Sequence, residues 1–165
     1  MAAGITYTPL ATTTLGSNTA SVTFSSIPST YTDLVLICST ASATAGGNEL
    51  NCQVNSDTGS NYSFTYVLGN GSSAASGRGS NQTRWAPGEQ SASFENPTLM
   101  YFFNYSNTTT YKTMLSRRNT VSNLTSAFVN LWRSTSAINS IYLYNASGHL
   151  FLSGSTFTLY GIKAA

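Results

Sequence analysis

The sequence predicts an all-β protein, an antiparallel β-sandwich of the jelly-roll type with about eight to ten strands. Apolar and aromatic residues alternate with Ser and Thr in short runs, and Gly, Ser, Asn or Pro separates one run from the next. No segment sustains a helical period. Because the Cys-Trp-Cys spacing of immunoglobulin domains is missing, the jelly roll is favoured over the immunoglobulin-like sandwich.

The alternating runs define the predicted strands in chain order. The run at 20–27 shows one apolar face, and the run at 34–40 is apolar on both faces, which is typical of a central strand. A short N-terminal arm precedes the first strand, at about 1–18, and a long loop without strand pattern covers about 69–93. The remaining predicted strands are 49–54, 62–69, 98–106, 110–118, 126–133, 139–145, 149–153 and 155–162.

Length and composition indicate one domain spanning residues 1–165 with a polar but nearly uncharged surface. The chain has 41% hydrophobic residues, enough for a core, but only 7 basic and 5 acidic residues. A net charge of +2 does not favour a nucleic-acid partner, and the basic residues between Lys112 and Arg133 are interpreted as solvated strand residues. No apolar stretch is long enough for a membrane partner, and the N-terminus lacks the pattern of a signal peptide, so we expect synthesis in a cytoplasm.

The segment after the third predicted strand spaces Asn55, Asp57, Gly59 and Asn61 two residues apart, as calcium loops space their ligands. A calcium loop supplies six to eight oxygens and usually several carboxylates. Here Asp57 is the only carboxylate, whereas Asn, Asp and Gly are also the residues of tight turns. The segment is therefore predicted to be a turn, with no metal and no other cofactor.

Catalytic groups are scarce in this sequence. His149 is the only histidine, in a turn-like segment, and there is no nucleophile elbow of the G-x-S-x-G type. Glu89 and Glu95 form the one conceivable carboxylate pair, since sequence does not give their separation. We expect no catalytic residues and no enzymatic activity.

Cys38 and Cys52 are predicted to point inward from neighbouring strands, because each is spaced by two from apolar residues. Buried free thiols are the expectation for a protein made in a cytoplasm. A disulfide between the two strands stays open at this point.

Arg84 and Trp85 lie at the centre of the predicted loop and are the candidate partner contact. An aromatic residue beside an arginine is the pairing enriched at the energetic centres of protein interfaces. The alternative is that Trp85 folds back and closes one end of the sandwich.

Several phrases of the sequence, taken together and in order, resemble a family of small bacteriophage virion proteins. They are "ITYTPLATTTLGS", "VTFSSIPSTYTDLVLICS", "VNSDTGSNYSFTYVLGNGSSAAS", "LWRSTSAINSIYL" and "FLSGSTFTLYGIK". The resemblance implies a β-sandwich on the virion, commonly trimeric, acting as a head decoration (cement) protein or as a tail-fibre or receptor-binding domain. The partners would be further copies of the chain and either the major capsid protein or a host glycan.

Between these roles, the sequence favours decoration of the capsid surface. A tail fibre needs an attachment segment and a shaft, and this chain of 165 residues has neither sequence repeats nor coiled-coil heptads. Glycan recognition is the alternative, since 10 Tyr and 2 Trp residues supply rings on which sugars stack.

Overall fold

The computed structural model describes residues 6–43, 48–90, 96–120 and 124–163. These residues form twelve strands and one short 3₁₀ turn at Ala146–Gly148. The strands are β1 (Tyr7–Thr14), β2 (Ser21–Phe24), β3 (Asp33–Thr40), β4 (Asn48–Val54), β5 (Tyr62–Gly69), β6 (Ala74–Gln82), β7 (Trp85–Gln90), β8 (Asn96–Phe103), β9 (Lys112–Asn119), β10 (Thr125–Trp132), β11 (Ile141–Asn145) and β12 (Thr156–Ile162).

The strands form two sheets of unequal width. The larger sheet has eight strands in the order β1-β12-β3-β8-β9-β10-β5-β6, and the smaller has four in the order β2-β11-β4-β7. Every strand pair is antiparallel. The predicted all-β, antiparallel sandwich is confirmed.

The core lies between the two sheets and follows the two-residue period of the strands. In β3, for example, Leu34, Leu36 and Cys38 are fully buried, whereas Ile37 between them is exposed. Alternate side chains of a strand point to opposite faces, so one face of each sheet can be apolar and buried. Each aliphatic side chain buried in this way contributes about 1.5–3 kcal/mol.

Two hairpins account for the greater width of the larger sheet. Successive strands otherwise alternate between the sheets, but β5 and β6 both join the larger sheet, as do β8, β9 and β10. The result is a block of four adjacent strands, β9-β10-β5-β6, which we call the extension. Strand β7, at the edge of the smaller sheet, packs mainly against β10 and β9.

The prediction of a long loop over 69–93 is wrong, because most of this segment forms β6 and β7. Strand β6 is an edge strand of Gly, Ser and other polar residues, so it lacks the apolar alternation that marks a strand in sequence. Its glycines leave room for aromatic rings of the neighbouring strand β5. A Cβ on Gly77 would lie 2.5 Å from the hydroxyl of Tyr66, and one on Gly79 would lie 2.7 Å from the ring of Phe64. Residues 91–93 lie outside the described residues.

Two further boundary predictions need correction. The predicted arm at 1–18 contains β1, which pairs with β12 at the sheet edge; Pro9 there hides the strand pattern but is tolerated on an edge strand. The predicted strand at 149–153 is wrong, because only Phe151 forms isolated bridges, to Thr19 and Ser42. Residues 1–5 of the arm lie outside the described residues.

Trp85 is the largest fully buried side chain of the described core. Its ring contacts Tyr62 edge-on at 5.7 Å and lies 5.8 Å from Phe102, measured between ring centroids. The indole N–H has no hydrogen-bond partner among the described residues. The packing of this ring, rather than its polar atom, holds the sheets together here.

Replacing Trp85 tests this description. We expect Trp85→Ala to lower the free energy of unfolding by about 3–5 kcal/mol, since it leaves a large cavity. Trp85→Phe should cost clearly less, because it keeps most of the apolar volume and removes an unpaired N–H. Urea unfolding measures both, with Val67→Ala at an exposed site as control. Similar losses for Ala and Phe would contradict the packing argument.

Candidate interaction surface

The structure separates the two residues of the predicted partner contact. Arg84 and Trp85 are consecutive, and they point to opposite sides of the smaller sheet: Trp85 is completely buried, whereas about a third of the Arg84 side chain is exposed. The alternative was that Trp85 folds back and closes one end of the sandwich; the ring does fold back and is buried in the core between the sheets. In this conformation the Trp85 ring is not accessible to a partner.

Arg84 belongs to a polar cluster on the solvent side of the smaller sheet. Its guanidinium forms an ion pair with Glu49 at 2.9 Å and donates from Nε to the Oδ1 of Asn51 at 2.5 Å. These contacts tie the start of β7 to β4. A partner contact through Arg84 stays a prediction, and such a contact would have to share the guanidinium with Glu49.

The carboxylate of Asp57 organises the turn between β4 and β5. Its Oδ1 accepts a hydrogen bond from the Gly59 N–H at 2.8 Å. Its Oδ2 accepts from Asn61 Nδ2 at 2.9 Å and from the Trp132 indole at 2.6 Å. Both carboxylate oxygens are thus bonded within the chain, as the turn interpretation requires, and the turn is fixed to the end of β10.

Asn55 and Tyr62 complete this corner. Asn55 adopts a left-handed φ of 53°, which asparagine tolerates in turns. Its side-chain amide donates to the Ala137 carbonyl at 2.7 Å and accepts from the Asn139 N–H at 2.9 Å. The Tyr62 hydroxyl donates to the Asp57 carbonyl at 2.9 Å. The spacing that resembles a calcium loop therefore serves hydrogen bonding within a turn, and the described residues contain no group of three or more His, Cys, Asp or Glu side chains placed to hold a metal ion.

Opposing effects set the pKa of Asp57. Burial alone would raise it, but hydrogen bonds from Trp132, Asn61 and Gly59 stabilise the charged form, and the pKa falls below the ordinary value of 3.8. The turn is therefore most stable with Asp57 ionised.

The two cysteines lie in opposite sheets, Cys38 in β3 and Cys52 in β4, so the prediction that their strands are neighbours is wrong. Both are free, fully buried thiols, as the buried-thiol interpretation predicts. Burial raises the pKa of each thiol, and for Cys38 the nearby Cys52 adds to the effect. Both thiols stay protonated and unreactive at neutral pH.

The basic residues between Lys112 and Arg133 do not form a common stripe. Lys112 and Arg118 point into the sandwich, where Lys112 Nζ donates to the carbonyls of Thr110 and Thr135 at 2.6 and 3.0 Å. Arg117 points the other way and is exposed. Of the other sequence candidates, His149 follows the 3₁₀ turn, the Glu89 backbone lies in β7, and Glu95 lies outside the described residues.

The outer face of the larger sheet, turned away from the smaller sheet, carries exposed apolar side chains on five successive strands, β3, β8, β9, β10 and β5. Such exposure is unusual for strands in the middle of a sheet, which normally bury these side chains. The set comprises Ile37 (46% exposed), Phe103 (40%), Leu115 (42%), Val129 (58%) and Val67 (59%).

This outer face is concave. A depression of about 710 Å³ crosses the strands, and its lining includes Ile37, Leu99, Arg117, Ala127 and Val67. These five residues form one row of register partners across the sheet. A second depression, of about 360 Å³, lies beside the first on the extension and is lined by residues that include Thr65, Arg78, Val129 and Leu131.

Sequence analysis missed this surface. The signal was present, because the segments 34–40 and 126–132 are apolar on both faces. That pattern is normally taken to mean a strand covered on both sides. Sequence does not reveal that no described part of the chain covers the outer face of these strands.

Comparisons of this chain with protein-family models, with curated proteins and with solved structures find no match. The described residues contain no helix that is long and apolar enough to cross a membrane. The function is therefore inferred from the fold and from the two depressions.

The Asp57 turn yields a pH-dependent prediction. We expect Asp57→Asn to lower the free energy of unfolding at pH 7 by about 1–2 kcal/mol, because an amide oxygen cannot replace both carboxylate oxygens. The folded pKa lies below the unfolded one, so the contribution of the carboxylate is complete above about pH 4 and is lost as the pH falls through the folded pKa.

Urea unfolding of wild type and variant at pH 7, 4 and 3 measures this effect. The difference between the two proteins should shrink at the lowest pH. Thr58→Ala, an exposed change in the same turn, serves as the control. A difference that is independent of pH would mean that the charge of Asp57 is not what stabilises the turn.

Proposed function

We propose that this protein is a non-enzymatic structural subunit of a bacteriophage virion, a decoration (cement) protein that binds the major capsid protein and stabilises the head. The supporting observation is the uncovered outer face of the larger sheet. Its five exposed apolar side chains present an apolar area on the order of 400 Å², the size of patch that marks interaction sites on soluble proteins.

The strand connectivity supports the class of protein that the sequence resemblance implies. Without the two hairpins β5–β6 and β9–β10, the sheets read β1-β12-β3-β8 and β2-β11-β4-β7. Successive strands then alternate between two four-stranded sheets, except that β4 and β7 both lie in the smaller one, and the first strand pairs with the last; this arrangement supports the predicted jelly roll. The extension is an addition to this framework, so its surface is free for a role particular to this protein.

A concave, weakly charged face suits a subunit on a symmetric shell. Each contact of this size is modest, and repetition over many lattice sites together with linkage among copies raises the total strength of attachment. We propose that the copies assemble as a trimer on the capsid surface of the virion, after synthesis in the host cytoplasm.

Glycan binding by a tail-fibre or receptor-binding domain is the second candidate, and one observation favours it. Aromatic rings lie in pairs at the β1-β12-β3-β8 side of the outer face. Tyr7 and Tyr160 are 6.2 Å apart, and Tyr101 and Phe103 are 4.6 Å apart, measured between ring centroids. Exposed rings of this kind are platforms on which sugar rings stack.

Head binding is tested with variants of the outer face. Phage heads that lack this protein are mixed with wild type, with the double variant Val67→Ser plus Val129→Ser, and with Tyr142→Ser as a matched control on the smaller sheet. We expect the double variant to lose at least tenfold in affinity, because two apolar contacts are removed, and the control to bind as wild type does.

Occupancy by sedimentation and resistance of the heads to heat measure the outcome. Equal binding of all three proteins would show that the outer face does not contact the phage head. Absence of binding to heads, combined with wild-type binding to host cells or glycans, would replace the decoration role with the receptor-binding candidate.

Self-association is tested by light scattering on the purified protein. We expect three times the mass of the 17.5 kDa chain at tens of micromolar. A monomeric mass under these conditions would contradict the proposed trimer.

A further inference from the structure

The two most exposed apolar side chains of the extension lie between two arginines. On the outer face, Val67 in β5 and Val129 in β10 occupy the middle strands, with Arg117 on β9 to one side and Arg78 on β6 to the other. The register places Arg117 two strands from Val67, through Ala127. It places Arg78 two strands from Val129 on the adjacent row.

Neither arginine of this surface is neutralised by the residues that the structure describes. The Arg78 and Arg117 side chains are exposed, and neither has a hydrogen-bond or ion-pair partner among the described residues. Arg84 and Arg133, in contrast, are bonded, the latter to Asn81 Oδ1 at 2.8 Å and to the Ser60 carbonyl. The face therefore combines an apolar centre with two unpaired positive charges.

The described residues of a second copy of the chain do not complement this surface. The carboxylates whose side chains are described are all engaged internally: Asp33 accepts from Tyr101 Oη, Glu49 pairs with Arg84, and Asp57 holds its turn. Two copies meeting through this face would also oppose like charges, which costs binding energy. Since the described carboxylates are engaged, we place the complementary carboxylates on a different molecule.

The spacing of the arginines defines the geometry of that molecule. Three strand spacings of about 4.8 Å separate β9 from β6, and the two arginines are offset by two residues, so their Cα atoms lie about 16 Å apart. In an extended segment, residues i and i+4 are about 14 Å apart and project to the same side as residue i+2. The long arginine side chains can span the difference between the distance of the two arginines and that of the two acidic residues.

We propose that the extension binds an extended acidic segment of a partner protein with the pattern acidic-x-apolar-x-acidic. The two carboxylates pair with Arg78 and Arg117, and the central apolar side chain packs on Val67 and Val129. The segment crosses the strands along the concave face, where the larger depression already runs from strand to strand. This inference rests on the proposed function and specifies the chemistry of its partner surface.

The test is an NMR titration of the ¹⁵N-labelled protein with three capped peptides. The first, Ser-Glu-Thr-Val-Thr-Glu-Ser, has the proposed spacing; the second replaces both Glu by Gln; the third, Ser-Thr-Glu-Val-Glu-Thr-Ser, has the same composition with the acids two residues apart. We expect the first to shift amide signals of β5, β6, β9 and β10 with a dissociation constant in the millimolar range.

The controls distinguish binding that depends on charge and spacing from nonspecific apolar binding. The second and third peptides should bind about threefold more weakly or worse, and Arg78→Gln and Arg117→Gln should each weaken the first peptide about threefold. Lys163→Gln, an exposed cation near the Tyr31 ring and away from the extension, should leave binding unchanged.

Equal binding of the three peptides, or no effect of the arginine variants, would overturn the proposal. Shifts of the extension signals with protein concentration alone would also overturn it, because they would assign the face to a second copy. Shifts caused by neutral oligosaccharides, but not by the first peptide, would overturn it as well. If the first peptide does not bind but the Val67 and Val129 variants still weaken head binding, the acidic segment is ruled out and the proposed decoration role is retained.

Discussion

The unequal width of the two sheets is the constraint on which the rest of this structure depends. The larger sheet has twice as many strands as the smaller, and four of them form the extension beside β1-β12-β3-β8; the outer face, which is turned away from the smaller sheet, has no cover from the described chain. The inner faces pack around Trp85, Tyr62 and Phe102. The exposed apolar residues Ile37, Phe103, Leu115, Val129 and Val67 lie on the opposite side of the larger sheet, which separates the folding core from the candidate binding surface.

The Asp57 corner connects these two parts of the molecule. The turn follows β4 of the smaller sheet, and its carboxylate is bonded to Trp132 at the end of β10 in the extension. Trp132 in turn stacks on Tyr62, the first residue of β5, with ring centroids 6.4 Å apart. One carboxylate thus links the turn after β4 to the end of β10, where that strand pairs with the start of β5.

The scarcity of charge gives the exposed arginines more weight than they would have on an ordinary surface. The chain has 7 basic and 5 acidic residues, and the described carboxylates are held by internal bonds, whereas Arg78 and Arg117 on the concave face are exposed and have no partner among the described residues. Their pairing partners on another molecule would be exposed and screened by salt, so they would set orientation more than strength. Affinity would come from the apolar centre and from repetition on a symmetric lattice.

The sequence predicts most of the strands because a two-residue alternation leaves few alternatives. It identifies 20–27, 34–40 and 62–69 as strands, places the Asp57 turn correctly, and directs both cysteines inward. It fails at β6 and β1, where edge position and glycine or proline remove the alternation that marks a buried face. In β6, glycine is needed because the rings of Tyr66 and Phe64, on the neighbouring strand β5, occupy the space that a side chain would take.

By itself, then, the sequence determined that the chain forms short antiparallel strands and where most of them turn, because those properties depend on neighbours along the chain. Only the tertiary structure decided which of two equally apolar faces is covered. Phe128 and Val129 are adjacent and both apolar, yet one is 5% exposed and the other 58%. Arg84 and Trp85 are likewise adjacent but point to opposite sides of their sheet. The physical reason is that coverage depends on the number and order of strands in the opposing sheet, which no local pattern records.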